Sequence, residues 1–314
     1  MSSDTDGPFH LELPPGAPMP PIPAAEPLTR ASVSLGKALF FDTRLSRDGT
    51  VSCGSCHLPA HAFSDTVALS TGVDGNSGMR NAPTLGNVAY HPYLFRDGGV
   101  PNLEMQVLAP VLDPMEMDHT MHEAAQRLAQ DGSYQHLSQL AYGRDLDPYV
   151  ITRAIAAYER TLISGWSRFD RFYYQGDIGA MTASERHGWD LFRSDTLNCM
   201  ACHNGFDLSD HSFQNIGQYL EYTDIGRERI TLDPADAGKF KVPTLRNIAL
   251  TAPYMHDGAM ATLGEVIDHF ASGGLPHANR SPLLPNFVLN EQEKEDLIAF
   301  LYALTDEHSI DQVP

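Results

Sequence analysis

Residues 53–57 have the sequence CGSCH, and residues 199–203 have the sequence CMACH. These two motifs contain all four cysteines of the 314-residue chain. The pairs are separated by 142 residues (57–198), whereas four-cysteine zinc sites keep their pairs about 15–20 residues apart. A redox C-x-x-C pair has no need of a histidine directly after it. C-x-x-C-H is the attachment motif of c-type haem, in which both thiols form thioethers and the histidine ligates iron. The chain is therefore predicted to carry two covalent haem c groups, held by Cys53, Cys56 and His57 and by Cys199, Cys202 and His203.

An internal repeat surrounds these motifs. PTLGNVAYHPYLFRDGGVPNL (83–103) aligns without a gap, at an offset of 160 residues, with PTLRNIALTAPYMHDGAMATL (243–263), and 8 of 21 positions are identical. A repeat of this kind indicates two copies of one structural unit. We expect a mainly α fold with two cytochrome-c-like haem domains related by the repeat, and few short strands.

The predicted organisation has three parts. A proline-rich arm covers residues 1–27, an N-terminal haem domain covers 28–165 and a C-terminal haem domain covers 166–314, with the boundary near Ser164–Ser167. Segments rich in Gly, Asp and Thr are predicted as loops at Thr66–Ser77 and Gln218–Lys239. Apolar spacing and capping residues predict helices over Ala31–Asp42, over Asp147–Ser164 and after Thr182, Thr262 and Asn290.

The charge excludes some classes of partner. The chain has 21 Lys and Arg against 40 Asp and Glu, a formal net charge of −19. This balance repels nucleic acid and anionic lipid and favours basic partners. No run approaches the roughly 20 apolar residues that span a bilayer. The start, MSSDTDGPFH, lacks the layout of a signal peptide, but haem attachment of this type points to an exported, periplasmic protein whose leader has been removed.

Further motifs carry a resemblance to a known family. They are CGSCH, RNAPTL, the D-G turn, L-E-x-Q (Leu103–Gln106), Pro110, E-M (Glu116–Met117), VPTLRNIALTAPYMHDG, Gly273–Gly274 and EKEDLIAFLYALT. Over about residues 28–305 the chain resembles the bacterial di-haem cytochrome c peroxidase and MauG family. The resemblance implies that the N-terminal haem activates hydrogen peroxide. It also implies that the C-terminal haem passes on electrons from a small cytochrome c or a cupredoxin, whereas MauG-like members oxidise side chains of a partner protein.

The resemblance assigns two catalytic residues. Peroxide cleavage at iron needs an open position and a group that moves a proton from the inner to the outer oxygen. By family position that group is Glu116, and Gln106 hydrogen-bonds the bound peroxide. In many family peroxidases a histidine before R-N-A-P-T blocks the peroxide haem at rest. Ser64–Pro83 contains no histidine, so the N-terminal haem is expected to be open, as in the MauG branch.

Two positions depart from the family pattern. Arg96 stands where relatives have the Trp between the haems, and it is expected to pair with a haem propionate; Tyr90 and Tyr93 are alternative relays. The repeat offset of 160 residues aligns Phe270 with Pro110. In the family this position is Met in the peroxidases and Tyr in MauG. Because Phe has no lone pair, the C-terminal iron is predicted to be five-coordinate, to bind water, or to recruit another group. The candidates are His269, which points about 100° away on a helix, and Met260.

The resemblance also implies a calcium ion between the domains, held by the Asn81 side chain and the carbonyls of Thr251 and Pro253, with waters.

The sequence is compatible with a homodimer but does not determine the oligomeric state. Three functions remain: a peroxidase, a MauG-like oxidase of a partner protein, and a two-haem electron carrier. Gln106 and Glu116 argue against the carrier, and peroxidase turnover is the preferred hypothesis.

Overall fold

The computed structural model describes residues 7–306, 308 and 310–313, and it is mainly helical, as predicted. No helix within these residues is long and apolar enough to cross a membrane. The α-helices are α1 Arg30–Phe40, α2 Cys53–Cys56, α3 Leu103–Gln106, α4 Leu108–Leu112, α5 Met121–Leu128, α6 Gly132–Tyr142, α7 Pro148–Glu159, α8 Arg168–Gln175, α9 Ala183–Phe192, α10 Glu228–Thr231, α11 Leu263–Ala271 and α12 Glu291–Ala303.

Strands are few and short, which confirms the prediction. In the described part of the chain the only sheet pairs β1 Phe213–Gln214 with β2 Phe240–Lys241, antiparallel. The two predicted loops are not wholly irregular: Val73–Gly75 and Pro234–Asp236 form turns of 3-10 helix, and Gln218–Lys239 also contains α10. The Asp233 carboxylate accepts the Ala235 N–H and thereby starts one of these turns.

Four predicted helix starts are confirmed. The Asp147 carboxylate accepts the Val150 N–H at 2.9 Å and begins α7. The starts of α9, α11 and α12 are reciprocal capping boxes, in which the cap side chain accepts an N–H and a glutamate returns the bond. These starts could be predicted because every partner lies within four residues along the chain.

The predicted helix over Asp147–Ser164 ends earlier than expected, at Glu159. The side chain of Asn87 binds both backbone groups of Ser164: its Oδ1 accepts the N–H at 2.8 Å, and its Nδ2 donates to the carbonyl at 3.1 Å. The Asn87 N–H also donates to the Leu162 carbonyl at 2.8 Å. Because the Ser164 N–H donates to Asn87 and not to the carbonyl four residues earlier, the helical hydrogen-bond pattern does not continue to Ser164.

Each half is built on one close helix crossing. In the first half α1 crosses α7 at Gly36, where an added Cβ would lie 1.8 Å from the Ala154 carbonyl oxygen. In the second half α9 crosses α12 at Gly188, where an added Cβ would lie 1.9 Å from the Asp296 carbonyl oxygen. Only glycine permits this approach, and the same device occurs at equivalent places in the two halves.

The apolar side chains form two separate clusters. The first extends from Leu28 to Leu162, and the second from Phe169 to Leu304. The C-terminal tail, which the predicted boundary places with the second domain, returns to the first cluster and adds Ile310 and Val313 to it.

Polar contacts also hold this tail. The Asp311 carboxylate accepts the Tyr158 hydroxyl of α7 at 3.0 Å and pairs with the Lys37 ammonium of α1 at 3.0 Å. The tail is thus attached to both helices of the first crossing.

The proline-rich arm packs along the first half. Phe9 pairs with Leu28 through a backbone hydrogen bond of 3.0 Å. The Pro18 carbonyl accepts the Tyr90 hydroxyl at 2.9 Å, and Glu26 forms a salt bridge with Arg153. The first six residues of the predicted arm lie outside the described part of the chain.

Candidate haem-binding cavity

One cavity of about 880 Å³ lies between the two halves. It is lined by residues of both repeats, including both cysteine pairs and the histidines that follow them. The structure brings every predicted site residue to this cavity: Cys53, Cys56, His57, Asn81, Arg96, Gln106, Pro110, Glu116, Cys199, Cys202, His203, Thr251, Pro253 and Phe270.

The two motif histidines are held in the same way. Nδ1 of His57 donates to the Phe63 carbonyl at 2.9 Å, and Nδ1 of His203 donates to the Leu208 carbonyl at 3.0 Å. Burial lowers the pKa of both imidazoles, which keeps them neutral. A neutral imidazole with its Nδ1 proton fixed by a carbonyl presents Nε2 as a metal ligand. Both histidines therefore fit the proximal position of a haem.

The four cysteines are free thiols rather than disulfides. The clusters of His, Cys, Asp and Glu in the described chain that would suit a metal ion include none of them, so a four-cysteine zinc site is excluded. Burial raises the pKa of Cys199 to about 12 and that of Cys202 to about 11. Two separate thiol pairs, each beside its own histidine, fit two separate haem attachments.

Glu116 and Gln106 face the cavity from the first half. Gln106 ends α3, and Glu116 follows α4, where its backbone carbonyl accepts the Val73 N–H at 2.8 Å. Among the described residues neither side chain has a hydrogen-bond partner. Burial, followed by the nearby Asp113 carboxylate, raises the pKa of Glu116. The pair is thus available to a ligand in the cavity.

Pro110 and Phe270, the two positions matched by the repeat, line the cavity from α4 and α11. His269 is directed elsewhere, since its Nε2 donates to the Ile216 carbonyl at 3.0 Å. Met260 does not line the cavity, and its backbone pairs with Tyr254. Phe270 thus faces the cavity, and neither candidate ligand, His269 or Met260, lines it.

Arg96 contacts a predicted calcium ligand. Its Nε donates to the Asn81 carbonyl at 3.0 Å, and its Nη2 donates to the Asn81 side-chain oxygen at 2.8 Å. Burial lowers the pKa of Arg96 to about 10, which still leaves it a cation at neutral pH. The guanidinium charge at Oδ1 of Asn81 opposes a divalent cation at this oxygen, and the calcium site stays a prediction. The pairing of Arg96 with a haem propionate stays a prediction.

The aromatic residues that line the cavity are not the tyrosines that the sequence suggested as relays between the haems. Neither Tyr90 nor Tyr93 lines the cavity, and Tyr93 is exposed. Phe240 and His256 line it instead, with their rings stacked at 3.9 Å and 17°. Tyr222 lies 6.2 Å from His256, centroid to centroid. Sequence reasoning missed this group because its members are distant along the chain.

Glu159 is a second residue that sequence reasoning missed. It is the last residue of α7, lines the cavity and is buried, and its Oε2 has no hydrogen-bond partner in the described chain. Burial raises its pKa to about 8. An acidic residue within the apolar pattern VITRAIAAYE was the available signal, because a buried titratable group in a cavity is typical of functional sites.

Comparison with known proteins decides the family. The family profile described as di-haem cytochrome c peroxidase matches residues 30–178. The methylamine utilization protein MauG of Methylorubrum extorquens is 37% identical over 298 residues, which cover 94% of this chain and 84% of that protein. The chain belongs to the di-haem cytochrome c peroxidase and MauG family.

Two further relatives place this di-haem peroxidase within its family. Cytochrome c551 peroxidase of Nitrosomonas europaea is 36% identical over 305 residues, covering 95% of this chain and 86% of that protein. The crystal structure of a MauG-like protein associated with microbial copper homeostasis matches with a TM-score of 0.92 at 36% identity, covering 97% of each chain. The predictions of a peroxidase enzyme with two haem c groups are therefore confirmed, and both branches of the family are represented among the relatives.

Proposed function

We propose that this di-haem peroxidase reduces hydrogen peroxide in the part of the cavity that holds His57, with electrons entering through the half that holds His203. Each peroxide takes up two electrons and two protons and leaves as two water molecules. One observation carries the proposal. Glu116 and Gln106 line the same cavity as His57, and neither side chain is engaged by another described residue.

The proposed proton transfer uses Glu116. Haem, when bound, supplies an iron with an open coordination position and the redox chemistry that breaks the O–O bond. Glu116 accepts the proton of the inner peroxide oxygen and delivers it to the outer oxygen, which leaves as water. The pKa of Glu116 is raised by burial and so lies closer to neutral pH. A group that accepts and returns a proton works best when its pKa is near the working pH. Gln106 orients the peroxide by donating an amide N–H.

The proposed electron donor is a small basic protein, either a cytochrome c or a cupredoxin. The net charge of −19 attracts a basic partner and accelerates the encounter, more strongly at low salt. The haem attachment motifs support a periplasmic location, where such donors and peroxide meet.

A MauG-like oxidation of a partner protein is the second candidate. It is favoured by the absence of histidine from Ser64–Pro83, since an open peroxide site needs no prior reduction. In that case peroxide removes two electrons from a side chain of the partner, which is oxidised while the peroxide becomes two waters.

The test uses the Glu116→Gln variant with both haems attached. We expect it to lower the rate of the first spectral change after rapid mixing with peroxide by about 10²–10⁴, the usual range for lost acid–base assistance. Glu221→Gln, an exposed glutamate outside the cavity, is the matched control. A Glu116 variant that reacts at the parent rate would remove this residue from the mechanism. Steady-state turnover with a reduced c-type cytochrome distinguishes the peroxidase from the MauG-like candidate.

A further inference from the structure

A second group of chemically versatile side chains lies where the two halves meet, apart from the residues assigned above. His91 comes from the first half, and Asp207 and His211 come from the second. Their side chains are only 7%, 6% and 13% exposed. Their possible ligand atoms all lie within 4.8 Å of one another.

The distances within this group suit a metal ion. Nε2 of His91 lies 3.2 Å from Oδ2 of Asp207, and Nε2 of His211 lies 3.6 Å from the same oxygen. Tetrahedral coordination with bonds of 2.0–2.1 Å places ligand atoms about 3.3 Å apart. Thus all three atoms can contact one ion after small side-chain movements, and a fourth position is left for water.

Neighbouring groups support two of the three ligands. Asn87 donates to Oδ1 of Asp207 at 2.9 Å, which leaves Oδ2 for an ion. The Ser209 hydroxyl oxygen lies 3.3 Å from Nδ1 of His211 and can accept a hydrogen bond from its N–H. Such outer contacts orient metal ligands in known sites.

Lys241 is a cation in direct contact with His91 of this group. Its ammonium lies 3.1 Å from Nδ1 of His91 and donates to the Tyr93 carbonyl at 2.7 Å. An ion at Nε2 requires the His91 proton at Nδ1. Lys241 then keeps its bond to Tyr93 and gives up the one to His91, so this contact weakens metal binding without preventing it.

We propose that His91, Asp207 and His211 form a binding site for a divalent first-row transition metal ion. Two imidazoles and one carboxylate select ions of the zinc and copper type and disfavour calcium, which prefers oxygen ligands. Because the ligands come from both halves, the bound ion joins them. This site is separate from the predicted calcium position at Asn81 and does not depend on the proposed peroxidase function.

The test measures metal content of the haem-loaded protein. After treatment with a chelator and dialysis against micromolar Zn²⁺ or Cu²⁺, we expect one added ion per chain by mass spectrometry, and none with Ca²⁺. His91→Ala and His211→Ala should each lower the affinity at least tenfold. His122→Ala, which removes an exposed histidine of α5, should bind as the parent does. Parent protein that retains no zinc, or alanine variants that bind like the parent, would overturn the proposal.

Two measurements do not depend on folding of the alanine variants. X-ray absorption at the zinc edge of the parent should show two imidazole nitrogens and oxygen at about 2.0–2.2 Å; sulfur ligands would overturn the assignment. Lys241→Gln removes the competing cation and offers an acceptor to Nδ1 of His91. It should tighten zinc binding by roughly tenfold, the scale of outer-contact effects, and a loss of affinity would contradict the geometry.

Discussion

At the scale of single residues, the two halves share the groups that hold haem and differ in the groups that face it. His57 and His203 are fixed by equivalent backbone carbonyls. On the facing side the repeat places Pro110 opposite one site and Phe270 opposite the other, and neither side chain can ligate iron. The first half places the Glu116 carboxyl group in the cavity six residues after Pro110. In the proposed function, this difference assigns the peroxide reaction to the first site.

The position of Phe270 allows a paired test. Phe270→Tyr puts a phenol oxygen into the cavity, so the absorption spectrum of the C-terminal haem should shift toward six-coordinate ligation. His269→Ala should leave that spectrum unchanged, because His269 already donates to Ile216. Both spectra are recorded on oxidised protein. A parent protein that already shows His/His or His/Met low-spin ligation at this haem would contradict the assignment.

A substitution at Arg96 tests whether calcium binds at Asn81. In the parent, added calcium or its removal with a chelator should change neither the haem spectrum nor the thermal midpoint. Arg96→Gln removes the guanidinium charge beside the Asn81 side-chain oxygen. This variant should gain measurable calcium affinity by calorimetry. Tight calcium binding by the parent would show that the guanidinium and the ion coexist.

At the scale of elements, the crossings of α1 with α7 and of α9 with α12 carry the architecture. Gly36 and Gly188 bring each pair of helices into backbone contact. The first cysteine motif begins at Cys53, after α1 and a 3-10 turn at Thr43–Leu45, and the second begins at Cys199, after α9. Each crossing therefore includes the α-helix that precedes a C-x-x-C-H motif in the sequence.

Gly36→Ala tests the first crossing. The added Cβ overlaps the Ala154 carbonyl, so we expect a loss of about 1–3 kcal/mol or more in the free energy of unfolding. Gly132→Ala at the start of α6 meets no atom within 4 Å and should be neutral or stabilise by up to about 1 kcal/mol. Denaturant titration of both variants gives the comparison. Equal stabilities would mean that the helices can separate without cost.

Local chemistry made these elements predictable. The haem motifs, the capping boxes and the repeat each involve residues that are close in sequence or related by a fixed offset. For this reason the mainly helical fold and the haem cavity could be anticipated, down to the starts of α7, α9, α11 and α12.

Contacts between distant segments set the rest. The early end of α7 depends on Asn87. The guanidinium of Arg96 contacts the predicted calcium ligand Asn81, and no sequence spacing predicts that contact. The group of His91, Asp207 and His211 is likewise assembled from both halves. Such contacts could not be inferred from a single sequence, because they arise only when the two repeats pack together.

At the scale of the whole molecule, the halves are joined by more than the connection between them. Ile310 and Val313 of the tail complete the first apolar cluster, while the intervening residues build the second. Arg80 of the first half also forms a salt bridge with Asp224 of the second at 2.6 Å. The tail and this salt bridge therefore both connect the two halves.

Ile310→Ala tests this closure. Removing a buried isoleucine side chain should cost about 2–5 kcal/mol, and the effect should be confined to the first half. Hydrogen exchange is expected to accelerate in α1 and α7 and to stay unchanged in α9 and α12. Ile178→Ala, at an isoleucine that is 70% exposed, is the matched control. Acceleration in both halves alike would mean that the tail supports the whole molecule rather than one cluster.

The returning tail also has a consequence for the order of biosynthesis. A ribosome adds about 5–20 residues per second, and domains generally fold from the N-terminal end onward. Here the first half receives two of its buried side chains, Ile310 and Val313, from residues that are translated after the whole second apolar cluster. The half that is begun before the other is thus finished after it, since its core stays incomplete until residues 310–313 have been added.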